Sequence, residues 1–302
     1  MQDLKKILNN CKDILLLGLI AIPIGVAVGA IDTLFGKVLL EVNNIRNNNV
    51  FRLIPFLPLA GVLITYTYSK IGKNSIKGMA LIFSAGFKEE DNIPLRLIPL
   101  AMVSTWLTHL FGGSAGREGV AVQIGGTVGH SIGKRLNIKN SSKILLIAGM
   151  SAGFAGLFLT PMAAAFFAME VFTAGIVEYC ALFPCITAAL SASFISRLLG
   201  LGKTGVNLNC SLDLDIPLIL KLVLLGILFG IIGGLFAYIL NFTGKFLAEH
   251  ISDPILRVFI MGCILSVLLL LLHHGRYAGS GSNLIEASFS KGKIYEYDWL
   301  LK

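Results

Sequence analysis

Charge is scarce in this sequence. Only 14% of its 302 residues are Asp, Glu, Lys or Arg, 55% are apolar, and the mean hydropathy is +0.79. So little polar surface excludes a soluble globule and predicts a multi-span, all-α integral membrane protein. Signals for cysteine chemistry are missing too. Cys11, Cys180, Cys185, Cys210 and Cys263 are odd in number and form no C-x-x-C pair, which argues against a disulfide framework and a zinc site. They read as small buried apolar residues. His273-His274 has no second ligand cluster beside it and reads as a polar pair at a membrane edge. The net charge is +8, but no basic patch exists: Lys and Arg flank apolar runs, which speaks for cytoplasmic loops and against a nucleic-acid partner. The Lys-rich start lacks a clear small-residue cleavage site, so a first span is expected rather than a removed leader. No cofactor and no enzyme chemistry is expected.

What the sequence does have is Gly112-Gly-Ser-Ala-Gly116-Arg-Glu118-Gly-Val120, set between apolar runs at Leu95 to Phe111 and Val120 to Ile132. Irregular backbone at bilayer depth persists only when buried in protein or lining a cavity. An ionisable residue there marks a functional site by default. The glycines allow close approach of backbone to a ligand. A helix beginning near Glu118 would aim free N–H groups and its positive dipole end at that ligand, so an anion is the natural guest. Two blander readings compete. The glycines could be packing notches, but notches do not need a buried Arg and Glu. Gly112-Gly-Ser114-Ala-Gly116 also satisfies the G-x-S-x-G pattern of hydrolases, which needs a preceding strand; Leu95 to Phe111 is too long for one, and nothing marks His109 as a base.

In chain order, residues 1–12 form a Lys-bearing N-terminal segment expected in the cytoplasm, followed by an apolar run from Asp13 to about Leu40 and a polar turn, Asn43 to Asn49, holding Arg46. A second run, Leu53 to Ile71, carries Pro55 and Pro58 near its start, where a helix tolerates them. Gly78 to Ala85 is apolar but too short to span, which predicts a glycine-led half-helix pointing inward. Helices are expected over Pro94 to Phe111, Glu118 to about Arg135, Ile144 to Phe158, Pro161 to about Ala174 and Tyr179 to Leu199. Ala163, Ala164, Ala165 and Ala168 give the fourth of these a close-packing face. Residues 200–215 form a polar loop expected outside the cell; long runs follow at Ile216 to Phe242 and Pro254 to Leu272, then a second glycine-rich lead into a short apolar stretch at Gly279 to Ile285.

Self-similarity organises these parts. At an offset of 208, Gly18, Gly25, Gly36, Lys37 and Leu39 meet Gly226, Gly233, Gly244, Lys245 and Leu247; at 203, Gly78, Leu81 and Ile82 meet Gly281, Leu284 and Ile285. Two long spans and then a glycine-led half-helix occur in both halves. The expected architecture is an inverted-repeat helical bundle with half-helices meeting at a midplane site. The first repeat is residues 13–199; the second begins at 216 and is incomplete by 302, with no counterpart of the Gly112 to Val120 loop, so the chain reads as a fragment, a truncated product or a reduced protein.

Gly116-Arg-Glu118-Gly-Val120, with Gln123, Gly125 and Gly126, resembles the CLC family of chloride channels and anion/proton antiporters. Gly149 to Gly156 and Thr160-Pro161 fit the family's next two helices, and the resemblance covers nearly the whole chain from about residue 14. Val120 replaces the motif's usual proline. Met79, in Lys77-Gly78-Met79-Ala80-Leu81, stands where chloride members carry a serine, which looks like the fluoride-exporting subclass. The resemblance implies that Glu118 is the gating glutamate, competing with the anion and taking up a proton. It implies further that Gly78, Met79, Ala80, Gly116, Arg117, Gly119 and Val120 surround the anion. The inner acid of chloride/proton exchangers falls at Val171, with Glu170 one residue earlier; this departure fits the fluoride subclass, and Glu170 reads as a helix-end charge. Two family elements, a later half-helix and a tyrosine region, fall beyond Lys302. The implied function is fluoride/proton antiport by a homodimer in the cell membrane, with halide, protons and lipid as partners. Chloride transport and a non-transporting membrane subunit are the alternatives.

Overall fold

A computed structural model describes residues 2–87, 89, 92–172, 175–202, 215–289 and 292–302, with side chains from Cys11 onward. Its regular elements among the described residues are helices. A 47-residue helix, α1 (Gln2–Asn48), opens the chain and accommodates Pro23 in its interior. The expected polar turn at Asn43 to Asn49 is therefore corrected: Asn43 to Asn48 continue α1, because Arg46 is buried there and its donors satisfy Asn43 and Asn47 instead of water. Next come α2 (Val50–Leu53), a 3-10 turn containing Pro55, and α3 (Leu57–Thr67), with Pro55 and Pro58 at first-turn positions where no N–H is needed. The half-helix α4 (Met79–Gly86) follows Gly78, whose φ of +52° favours glycine. Then follow α5 (Leu97–Leu110), α6 (Glu118–Gly133), α7 (Ser141–Phe158), α8 (Pro161–Glu170) and α9 (Leu182–Leu198). The second half holds α10 (Ile216–His250), α11 (Pro254–Leu271), α12 (Ser282–Phe289) and a last turn, α13 (Asp298–Leu301). Most of the loop at 200–215, Cys210 among its residues, lies outside the described residues. Among the described residues, six helical stretches are long and apolar enough to cross a bilayer.

Small residues decide the packing, as they do where lipid removes the hydrophobic drive between helices. On α1, a Cβ at Gly25 would lie 2.3 Å from the Ala188 carbonyl oxygen, and one at Gly29 would lie 2.5 Å from that of Ala192, so α1 and α9 touch through backbone. Hydroxyls stitch the same seam: Thr187 Oγ1 donates to the Gly18 carbonyl at 3.0 Å and Ser196 Oγ to that of Gly29 at 3.1 Å. The closest approach joins α6 to α7. A Cβ at Gly125 would fall 1.9 Å from the Gly149 oxygen, and one at Gly149 would fall 2.1 Å from the Gly125 oxygen. Gly129 meets the Leu145 oxygen, and Gly153 that of Ala121, at 1.9 and 2.0 Å. On α8, Ala164 packs with Ala155 and Ala189, and Ala165 and Ala168 are buried, whereas Ala163 is exposed. A second, smaller cluster pairs α3 with α11: Gly262 approaches Pro58, and Ser266 Oγ donates to the Ile54 carbonyl at 2.9 Å.

The two glycine-led half-helices match in detail. Both α4 and α12 have eight residues, both start one residue after a positive-φ glycine (Gly78, Gly281), and they stand 203 residues apart along their whole length. The long helices do not match in surroundings. Among the described residues nothing outside α10 lies within 4 Å of a Cβ built at Gly226, Gly233 or Gly244, and no α10 residue is buried. One face of α10 carries rings at four-residue intervals, Tyr238, Phe242, Phe246 and His250, with centroids 6.3, 6.2 and 4.2 Å apart, the first two pairs stacked and the last tilted.

The glycines of α6 and α7 should therefore be far less replaceable than those of α10. Gly149→Val is expected to cost more than ~3 kcal/mol, since backbone must move. Gly226→Ala should stay within about 1 kcal/mol. Thermal unfolding of the two variants in detergent micelles checks the contrast; equal losses would contradict it.

Candidate functional site

Glu118 is the first residue of α6, and its side chain is exposed. The carboxylate folds back over Gly116: a Cβ there would stand 2.9 Å from Glu118 Oε2. Arg117, at the N-cap, lies over the Phe158 ring at 5.4 Å, on the end of α7. A Cβ at Gly119 would meet nothing beyond its own helix within 4 Å among the described residues, so no packing partner there requires a glycine, and the first turn of α6 keeps a bare backbone. The first-turn N–H groups of a helix have no partner inside it, which makes such a tip an anion receptor. Glu118 itself places a negative charge at that end, where the dipole stabilises it.

Across from this tip, α4 approaches with Gly78 leading. Gly78 and Val120 line one cleft of about 470 Å³, together with Gln123, Ser75, Thr105 and Tyr68. The amide nitrogen of Gln123 would lie 3.9 Å from a Cβ at Gly78. Ser75 is fully buried, and its hydroxyl has no hydrogen-bond partner among the described residues. The structure thus brings Gly78 and Val120 together. Met79 is half-buried and packs against the core, and Ala80 is exposed. Glu118, Gly116 and Arg117 sit at the head of α6, outside the lining of that cleft. Sequence reasoning passed over Ser75 and did not place Gln123 at the site. The position of Ser75, three residues before the glycine that opens α4, was the available signal.

The loop from Gly112 to Arg117 follows a helix, not a strand, and His109 Nε2 contacts the Ala115 carbonyl at 2.9 Å rather than Ser114. Ser114 Oγ instead donates to the Gly279 carbonyl at 2.6 Å. The hydrolase geometry is therefore absent from these residues. Glu170 is the exposed last residue of α8, followed by Val171. His273 Nε2 lies 3.0 Å from the Tyr297 hydroxyl, in a stack with Tyr295 and Tyr297.

A multi-span helical bundle with a charged residue at a helix tip beside a half-helix defines a membrane protein of the ion-pathway class. Comparison with known proteins identifies which one. The profile of the voltage gated chloride channel family matches residues 60–301, and the chain belongs to that family, the CLC proteins. The crystal structure of a CLC-type fluoride/proton antiporter superposes with a TM-score of 0.90 at 49% identity, over 95% of this chain and 72% of that one. A slow cyanobacterial Cl−/H+ antiporter superposes at 0.70 over 97% of this chain and 70% of that one; at 20% identity it speaks for the fold alone. By sequence, the chain is 39% identical over 149 residues to a chloride/fluoride channel protein of Pseudomonas syringae pv. tomato, covering 49% of this chain and 33% of the relative. It is 27% identical over 197 residues to an uncharacterized protein of Methanocaldococcus jannaschii, covering 65% and 48%. The chain thus spans between a third and a half of the length of these two relatives.

The open space at Gly119 separates ligand from packing roles. Gly119→Ala should leave the unfolding midpoint within about 2 °C while weakening the hold of the α6 tip on an added halide about tenfold, because its methyl covers a free helix end. Isothermal titration and thermal unfolding on one preparation decide it. Parallel losses in both would assign Gly119 to packing.

Proposed function

We propose that this chain carries the first-half machinery of fluoride/proton antiport, lowering cytoplasmic fluoride. The observation that carries the reading is Glu118 at the head of α6, with open space around Gly119 and with Gly78, which leads a half-helix, beside Val120 in the first turn of α6. A carboxylate parked at a helix N-terminus occupies the place an anion would take, and protonation weakens its hold. Fluoride and a proton can thus alternate at one position. Arg117 and the loop glycines Gly116 and Gly119 would frame the anion beside Gly78, Met79, Ala80 and Val120. Met79 supplies no hydroxyl where a serine would coordinate chloride, which favours fluoride over chloride transport; the 49% identity to a fluoride/proton antiporter supports the same choice.

The wider arrangement follows the same reading. Residues 13–199 form the first inverted repeat and residues 216–302 belong to the second, which the matching of α4 with α12 at one offset supports. Residues 1–12 lie in the cytoplasm and 200–215 outside, as the basic loops imply. The protein works in the cell membrane as a homodimer, without enzyme chemistry.

In vesicles loaded with fluoride, Glu118→Gln should abolish the proton movement that accompanies efflux. Coupled efflux at the wild-type ratio in that variant would reject the role of Glu118. Met79→Ser should raise chloride flux relative to fluoride about tenfold, the worth of one hydrogen bond to an anion. An unchanged ratio would leave chloride and fluoride transport unseparated by Met79 and remove it from the selectivity account.

A further inference from the structure

Behind the Glu118 loop stands a buried polar wall made of residues outside the glycine motif. Arg46, in the last turn of α1, is 6% exposed, and His109, in the last turn of α5, is 1% exposed. The Arg46 guanidinium donates from Nη1 to Asn43 Oδ1 at 2.9 Å and to the His109 carbonyl at 3.1 Å, and from Nη2 to Asn47 Oδ1 at 2.9 Å. No carboxylate pairs with it among the described residues, and its Nε has no partner there. A buried charge without a counter-ion is costly, so simple packing does not explain its place. The His109 ring continues the chain of contacts. Its Nε2 lies 2.9 Å from the Ala115 carbonyl, which can only accept, so Nε2 carries the hydrogen. Its Nδ1 lies 3.3 Å from Asn43 Oδ1. With the hydrogen on Nε2, Nδ1 and Asn43 Oδ1 are both acceptors and share no hydrogen bond, so helix α1 braces His109 at its carbonyl, and His109 braces Ala115, three residues before Glu118.

The second half of the chain closes the clamp from the other side. Gly279, at φ +75°, lies so close to Arg46 that a Cβ would fall 2.1 Å from Nη1. Its N–H donates to the Gly112 carbonyl at 3.1 Å, and its carbonyl accepts from Ser114 Oγ at 2.6 Å. The loop before Glu118 is thus held at Gly112, Ser114 and Ala115 between α1, α5 and the segment that leads into α12. We infer that Arg46 and His109 are positioning residues: they fix the register of the 112–117 loop, and through it the place of Glu118 at the tip of α6. The inference rests on the antiport reading for its consequence in transport, but not for its consequence in structure.

Two measurements on the 302-residue chain in lipid nanodiscs or vesicles test it. One is amide hydrogen exchange across residues 112–118; the other is the proton-to-fluoride ratio of transport. Arg46→Lys keeps the charge and loses the planar fork, and His109→Phe keeps the ring and loses the donor. Each should speed exchange in the loop about tenfold or more, the worth of one charge-assisted or buried hydrogen bond, while α7 stays as protected as in the wild type. Each should also lower the proton-to-fluoride ratio, which a purely structural contact would not move; Arg52→Lys on the exposed α2 should change neither. Gly279→Ala leaves both residues in the sequence but drives a methyl into the Arg46 guanidinium, and should give the same local rise. Loop exchange at the wild-type rate in these variants overturns the inference. So does loss of protection spreading through α7, which would make Arg46 a general contact of the fold. If the wild-type chain moves no fluoride, the antiport reading fails while the exchange measurement still decides the clamp.

Discussion

The contact between α6 and α7 constrains everything around it. Four glycines, Gly125, Gly129, Gly149 and Gly153, set carbonyl oxygens where side chains would otherwise stand. Helices this close have no intervening side chains to deform, and so the pair behaves as one rigid body. Because Glu118 begins α6, its position is fixed from below by that pair. Because Arg117 lies over Phe158, at the end of α7, the same pair also anchors the residue before it. The loop before Glu118 thus ends on a stiff platform, which fixes the head of α6.

Much of the fold was legible because its signals are local. Pro55, Pro58 and Pro161 mark first turns, and Gly78 demands a positive φ, so each element they open falls where the sequence places it. Glu118 was legible for the same reason: a carboxylate beginning an apolar helix is an anomaly in one dimension. The extent of α1 was not. Asn43 to Asn48 look like a turn, and only the burial of Arg46 against α5 and the 275–281 segment explains their helical state. The carboxyl of Asp32, pressed against Gly156 and without a hydrogen-bond partner among the described residues, is likewise invisible in sequence, since its burial is made by α7. Ser75 was missed because an isolated serine in a basic loop carries no periodic signal.

The two halves show how one pattern can have two fates. Gly25 and Gly29 of α1 are filled by α9, and the hydroxyls of Thr187 and Ser196 reach across to its carbonyls. The glycines of α10 that repeat the α1 spacing face open space. The sequence pattern specifies a groove, and only the tertiary partner turns a groove into an interface.

The ladder of rings on α10 has a mechanical consequence. A 35-residue helix is roughly 52 Å long, against a hydrocarbon layer of roughly 30 Å, so it leans or protrudes. Tyr rings prefer the headgroup zone. Tyr238, Phe242, Phe246 and His250 lie along one edge toward the end that also carries Lys245 and Glu249, and the polar-tipped Tyr238 of that edge acts as a plumb mark. Thinning the bilayer would pull that mark against its preferred depth and convert membrane thickness into helix inclination.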